Sequence, residues 1–160
     1  SWQQTINTDL NSSFYITRLV IPLMKAQRSG VILNMSSSAG RYGCPLRSPY
    51  VAAKWAAIGL AQTWAMELGP WNIRVNALCP GSVGGERIDR VITRDATERG
   101  VDPDVIRKIY QRQSSLRAFA SAEDIAAMVC FLVGPGGQMI SGQTIGIDGH
   151  TESLANWLDA

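Results

Sequence analysis

Between Ser48 and Leu68 the chain reads SPYVAAKWAAIGLAQTWAMEL, a run with no polar face. Ser48 is a good N-cap, Pro49 suits the first helical position and Gly69-Pro70 supplies a stop, which predicts a helix from Pro49 to Leu68. Ala53, Ala57, Ile58, Leu60, Trp64 and Leu68 are spread around its circumference. A helix apolar all round must be covered on more than one side, by a sheet and by a further helix or a subunit. Tyr50 and Lys54 are the exceptions. Four helical residues make about one turn and ~6 Å of rise, so these two side chains share a face within reach of each other.

The rest of the chain supplies the cover. Trp2, Ile6, Leu10, Phe14, Leu19 and Leu23 recur at helical spacing, which predicts one long helix over 2–28 with a kink at Pro22 and a stop at Ser29-Gly30. VILNM (31–35) is short and apolar and leads into a serine- and glycine-rich loop, as a strand buried on both faces does. NIRVNALCPG (72–81) predicts a second strand and QTIGIDG (143–149) a third. Residues 86–113 read as two short polar helices broken at GVDP, and Ser121 caps a helix over Ala122–Val133 with Glu123 and Asp124 in its first turn. The glycines of GPGG (134–137) follow that helix as a C-terminal cap turn. Strand and helix alternate throughout, so the expectation is a single α/β domain over 1–160, its sheet parallel with helices on both faces. Ser82–Arg117 is the one long interruption. It leaves the C-terminal end of the second strand, where open α/β sheets bind ligands, and reads as a substrate-loop or lid insertion over 82–117.

Composition narrows the function classes. The 160 residues carry 15 Lys and Arg against 13 Asp and Glu, a formal net charge of +2, which argues against a nucleic-acid-binding domain. Cys44, Cys79 and Cys130 are odd in number and never paired as C-x-x-C, so neither a disulfide framework nor a zinc site is expected, and reduced thiols in the cytoplasm are the simplest reading. No apolar run reaches transmembrane length, so no membrane partner is expected.

Chemistry converges on the C-terminal ends of the strands, where SSS (36–38), the start of the Tyr50 helix and CPG (79–81) meet. A phenol ordinarily ionises near pH 10, too high for a base at neutral pH, but an ammonium one turn away favours the phenolate. Lys54 thereby makes Tyr50 usable as an acid or base, and the Ser37 hydroxyl is suited to hold a carbonyl or alcohol oxygen beside it. The Y-x-x-x-K pair Tyr50/Lys54, Ser37 thirteen positions earlier and the later PGSV together resemble the C-terminal two-thirds of a short-chain dehydrogenase/reductase over nearly the whole chain. That resemblance implies a three-layer Rossmann-like fold and an NAD(P)-dependent oxidoreductase interconverting a secondary alcohol and a carbonyl. Tyr50 would be the catalytic acid/base. Lys54 would assist it and hydrogen-bond the nicotinamide ribose, and Ser37 would orient the substrate oxygen. Pro80, Gly81 and Val83 would contact the nicotinamide end of NAD or NADP. A homo-oligomer, dimer or tetramer, built through the two long helices is also implied.

Three departures qualify the resemblance. Asp9 stands where the family usually places an asparagine of a proton relay; it can accept those hydrogen bonds but lacks the amide donor. Gly85 stands where a threonine often contacts the cofactor. The glycine-rich first turn and the Asn-Asn-Ala-Gly strand end of the family are absent from this sequence, which begins at Ser1. The expectation is a chain truncated at its N-terminus, with VILNM left as a sheet edge, that alone binds dinucleotide poorly and reduces nothing. Arginines are frequent around the expected site, and Arg41 and Arg87 are candidates for an anionic carbonyl or alcohol substrate. His150, the only histidine, reads as a turn residue, and Trp157 with Leu154 and Leu158 as a tail that docks on a neighbour or frays. A reading from another class remains beside the enzyme: a non-catalytic half domain that binds a partner through the sheet edge and helices.

Overall fold

The computed structural model describes residues 1–158. Helix α1 (Trp2–Ile6) runs through one π-helical turn, Asn7–Asn11, into α2 (Ser12–Gln27). Strand β1 (Gly30–Met35) leads to α3 (Ser48–Leu68) and β2 (Ile73–Pro80). Helices α4 (Glu86–Arg99) and α5 (Pro103–Arg112) form a hairpin, and α6 (Ala122–Val133) precedes β3 (Thr144–Ile147). The three strands form a parallel sheet in the order β1-β2-β3, with Ile32 opposite Val75 and Leu78 opposite Ile145. This is the α/β, Rossmann-like architecture expected.

Central position explains why β2 is almost wholly buried. Ile73, Val75 and Ala77 face α3, where they pack with Ala61, Trp64 and Leu68, and Ile21 and Met24 of α2 close the cluster. Full burial of a side chain such as Leu68 or Ile73 contributes roughly 1.5–3 kcal/mol. Asn76 is buried as well. It holds the segment leading into β3, its amide donating to the Ile140 carbonyl at 2.9 Å and its oxygen accepting the Gln143 N–H at 2.9 Å. Strand β1 differs from its expectation. Only Asn34 is buried and Val31, Ile32 and Leu33 are half-buried, because among the described residues no strand pairs along its outer edge.

Three boundaries also differ. Residue Arg47, not Ser48, sits at the N-cap of α3: the Val51 N–H donates to the Arg47 carbonyl at 2.9 Å, so Ser48 is already helical and Pro49 follows it. Arg28 stops α2 in the left-handed conformation at φ 51°, ahead of the Ser29-Gly30 pair. The long first helix contains a π turn that apolar spacing does not signal. There Ser12 sends its N–H to Asn7, five residues back, while its hydroxyl donates to the Thr8 carbonyl at 2.6 Å. The apolar stripe of this helix is not core: Trp2, Leu19 and Leu23 are exposed, as are Trp55 and Met66 of α3.

The α4–α5 hairpin has a core of its own, in which Ile92 and Ala96 pack against Ile106 and Ile109. Its entry and exit are stapled together. The Gly84 N–H donates to the Ala120 carbonyl at 2.8 Å and the Ala120 N–H to Ser82 at 3.0 Å. Helix α6 begins as expected, with the Ser121 N–H donating to the Asp124 carboxylate at 2.8 Å and the Asp124 N–H to the Ser121 hydroxyl at 3.0 Å. These bonds hold the Asp124 carboxyl below the usual carboxylate range, the Ser121 backbone N–H first and its side chain second. Gly134 caps the other end, its N–H donating to Cys130 at 3.0 Å.

Candidate functional site

Above the C-terminal ends of β1 and β2 lies a cleft of 620 Å³. Ser37 reaches it from the turn after β1, Tyr50 and Lys54 from the first turns of α3, and Pro80, Gly81 and Val83 from the end of β2 and the loop beyond it. Asp9 enters from the π turn and Arg87 from the start of α4. Eight of the nine residues picked out in the sequence therefore line one space. Arg41 does not. Its guanidinium lies 3.8 Å from the Asp148 carboxylate beyond β3 and rests against the Tyr42 ring.

Lys54 is the best-anchored of these groups. A buried ammonium requires partners, and Nζ has the Met35 carbonyl at 3.1 Å and the Asp9 carboxylate at 3.7 Å. Its own backbone carbonyl accepts the Ser36 hydroxyl at 2.7 Å, which ties α3 to the end of β1. Gly40 allows that contact: a Cβ there would meet the Ser36 oxygen and stand 2.7 Å from the Lys54 carbonyl. Lys54 Nζ lies 5.4 Å from the centre of the Tyr50 ring, near enough for its charge to act on the phenol. Ser37 Oγ accepts the Ala39 N–H at 3.1 Å, which orients the hydroxyl and leaves its proton available.

The loop above these groups departs from sequence expectation for a backbone reason. Gly85 has φ 125°, a conformation that strains any residue with a Cβ, so the glycine in place of threonine fits the path into α4. His150 takes a turn position at φ 65°, its N–H donating to Asp148 at 3.1 Å and its Nδ1 lying 3.1 Å from the Ser115 hydroxyl. The tail beyond it is held to α4 and α5 as far as Asn156. The Glu152 N–H donates to the Gln113 carbonyl at 2.8 Å and Arg99 donates to the Asn156 carbonyl at 2.6 Å, which places Leu154 and Asn156 in the cleft lining. Trp157 and Leu158 remain exposed.

Sequence reasoning overlooked Cys44 and Tyr110 in the lining: Cys44 lies in the irregular loop before α3, which has no periodic pattern, and Tyr110 arrives from α5, far along the chain. Burial raises the Cys44 thiol, with Arg47 opposing, and burial likewise raises the Tyr110 phenol, so both are neutral at neutral pH. All three cysteines are free thiols. Among the described residues no helix is long and apolar enough to cross a membrane, and no cluster of His, Cys, Asp and Glu is arranged to hold a metal ion.

The donor set fits the nicotinamide-ribose end of a dinucleotide. Lys54 Nζ uses one proton on Met35 and keeps others for a ribose hydroxyl, and backbone from Pro80 to Val83 borders the same space. No glycine-rich strand-to-helix turn among these residues serves a pyrophosphate.

The family model described as enoyl-(acyl carrier protein) reductase matches residues 1–150, and the chain belongs to the short-chain dehydrogenase/reductase family. It is 36% identical over 148 residues to the 3-oxoacyl-(acyl-carrier-protein) reductase FabG of Thermotoga maritima, covering 92% of this chain and 56% of that one. The D-beta-hydroxybutyrate dehydrogenase of Rhizobium meliloti is 33% identical over 149 residues, covering 92% of this chain and 58% of that one. Among solved structures, NAD+-bound xylitol dehydrogenase superposes with a TM-score of 0.85 at 29% identity, over 91% of this chain and 58% of that one. The 3-oxoacyl-(acyl-carrier protein) reductase of Brucella melitensis gives 0.79 at 28% identity, over 96% and 53%. The chain thus spans a little over half the length of these relatives.

Proposed function

We propose that this chain carries the acid/base and substrate part of an NAD(P)-dependent oxidoreductase that interconverts a secondary alcohol and a ketone, with Tyr50 as the group that exchanges the proton. The observation that carries the reading is the convergence of Ser37, Tyr50 and Lys54 on one cleft, with the ammonium 5.4 Å from the phenol ring. In the direction of reduction, the Ser37 hydroxyl donates a hydrogen bond to the carbonyl oxygen and holds it beside the Tyr50 hydroxyl. As that oxygen becomes negative, Tyr50 gives it a proton, and the Lys54 ammonium stabilises the phenolate left behind. Lys54 would also hydrogen-bond the ribose of the dinucleotide, Pro80, Gly81 and Val83 would border its nicotinamide, and Asp9 fixes the position of the ammonium. The dinucleotide supplies the hydride when bound. NAD or NADP serves equally in this scheme, and three similar solved structures hold NAD+, NADH or NAD.

The α4–α5 hairpin acts as the substrate lid in this reading. Two relatives are named for a 3-oxoacyl-(acyl-carrier-protein) and for D-beta-hydroxybutyrate, which favours an oxo or hydroxy compound here. A second copy of the chain covers the exposed apolar faces of α2 and α3, where Leu19, Leu23, Trp55 and Met66 lie open, and forms a homo-oligomer.

Tyr50→Phe tests the reading in the complete polypeptide. The expected result is a loss of about 10²–10⁴ in kcat for carbonyl reduction with unchanged circular dichroism and unfolding midpoint. A variant that keeps most of its rate shows that the proton comes from elsewhere. An inactive parent protein that assembles with a second protein through β1 or α2 supports the partner-binding reading instead.

A further inference from the structure

The charges around the cleft are not all alike. Among the described residues, Arg90 is ion-paired with Glu86, Arg94 with Glu98, Arg99 with Asp95, Arg107 with Asp89 and Arg117 with Glu152. Arg41 is paired with Asp148. Arg47 and Arg87, both in the cleft lining, have no ion pair among the described residues. They come from different elements, Arg47 from the N-cap of α3 and Arg87 from the first turn of α4.

Among the described residues, no carboxylate of the cleft lining is paired with them. Its two carboxylates are committed elsewhere, Asp9 to Lys54 at 3.7 Å and Glu86 to Arg90 at 3.6 Å, with Glu86 turned almost fully to solvent. The groups beside Arg47 are the Cys44 thiol and the Tyr110 phenol, which are neutral. The lining also carries the apolar side chains of Ile88, Val91, Ile125 and Leu154, beside the polar Gln113 and Asn156. Two guanidinium groups and apolar side chains lining one cleft match a molecule with a carbon skeleton and one anionic end.

We propose that Arg47 and Arg87 bind the anionic group, carboxylate or phosphate, of an oxo or hydroxy substrate whose apolar skeleton lies against Ile88, Val91 and Leu154. The inference rests on the oxidoreductase reading for its reaction, but the anion site stands on geometry of its own. Arg47 lies three residues before Tyr50 in the chain, so the anion and the reacting carbonyl sit in the same cleft. Arg41, the other candidate named from the sequence, is excluded because it lies outside the cleft lining and pairs with Asp148.

The test uses the complete polypeptide with its nucleotide and two readouts. In the first, kcat/KM is measured for a series of four- to eight-carbon oxo acids, their methyl esters and oxoalkyl phosphates. In the second, hexanoate, hexyl phosphate and hexanamide are titrated calorimetrically. The expected result is a preference of about ten- to a hundredfold for the anion over its neutral counterpart, carried by KM, and a collapse of that ratio in Arg47→Gln and Arg87→Gln. Carboxylate and phosphate probes tell the two anions apart. Arg94→Gln and Arg41→Gln should leave the ratio unchanged. Equal use of acids and esters by the parent protein, or a rise in the nucleotide KM alone in Arg87→Gln, overturns the proposal and leaves the oxidoreductase reading standing. Hexanoate or hexyl phosphate binding that depends on both arginines, with no oxo compound reduced, has the opposite meaning: the anion site holds and the oxidoreductase reading fails.

Discussion

The wall of the cleft that carries Ser37, Tyr50 and Lys54 rests on a core shared by a sheet and two helices, with Ala61, Trp64 and Leu68 packed on Ile73, Val75 and Ala77. The facing wall rests on Ile92, Ala96, Ile106 and Ile109 within a single helical hairpin. The first core draws on residues from across the chain, and its reacting groups are tied to it twice over: Lys54 by its side chain to Met35 and Asp9, and by its carbonyl to Ser36. The second core is local and its loop is stapled at Ser82, Gly84 and Ala120. Groups that exchange a proton need to be held within a fraction of an ångström, whereas a surface that meets the variable part of a substrate can be a small unit with its own stability. In the proposed reading, the two walls divide chemistry from selection.

Removing the same kind of atoms from each core should therefore give different outcomes. Leu68→Ala, in the sheet core, should lower the global unfolding free energy by about 2–5 kcal/mol, read by denaturant titration. Ile106→Ala removes a comparable volume, and its effect should stay within the hairpin: hydrogen exchange should quicken over 86–112 while the amides of β2 keep their protection. KM should rise more than kcat falls. Equal loss of protection in β2 would show that the two cores unfold as one.

A smaller effect is expected at the start of α6, which belongs to neither core. Ser121→Ala should cost about 1 kcal/mol by loss of the side-chain cap. The Asp124 carboxyl titrates lower in the folded protein than in the unfolded chain, so its contribution is complete above the ordinary carboxylate range and is lost as pH falls through the folded value. Asp124→Asn should then flatten the acid side of the stability profile, measured by thermal unfolding between about pH 2 and pH 5.

The reacting wall was legible because its residues are near in sequence or fixed by strand ends. Four-residue spacing placed Tyr50 and Lys54 together, and parallel topology brought Ser37 and Pro80 to them. The Ser121 cap and the break at GVDP were equally plain, since both are local chemistry. What escaped depends on competition between local choices. Spacing alone made Arg41 as good a candidate as Arg47, and only the position of Asp148, more than a hundred residues later, separates them. Apolar periodicity over 2–28 gave a helix but not the side it buries, because Leu19 and Leu23 face outward. Proline and serine fixed the start of α3 to within one residue, where the N-cap fell to Arg47.

The π turn at Asn7–Asn11 has a consequence for how this helix can change. One additional residue in a turn rotates everything beyond it by about 100° relative to everything before it. Asp9, which reaches Lys54, lies within that turn, and the open apolar stripe of α2 lies after it. Deleting one residue from the turn would restore a regular helix, but the outer face and the carboxylate could not both keep their bearings. The site and the surface behind it are geared together through a single turn, and neither can be re-aimed alone.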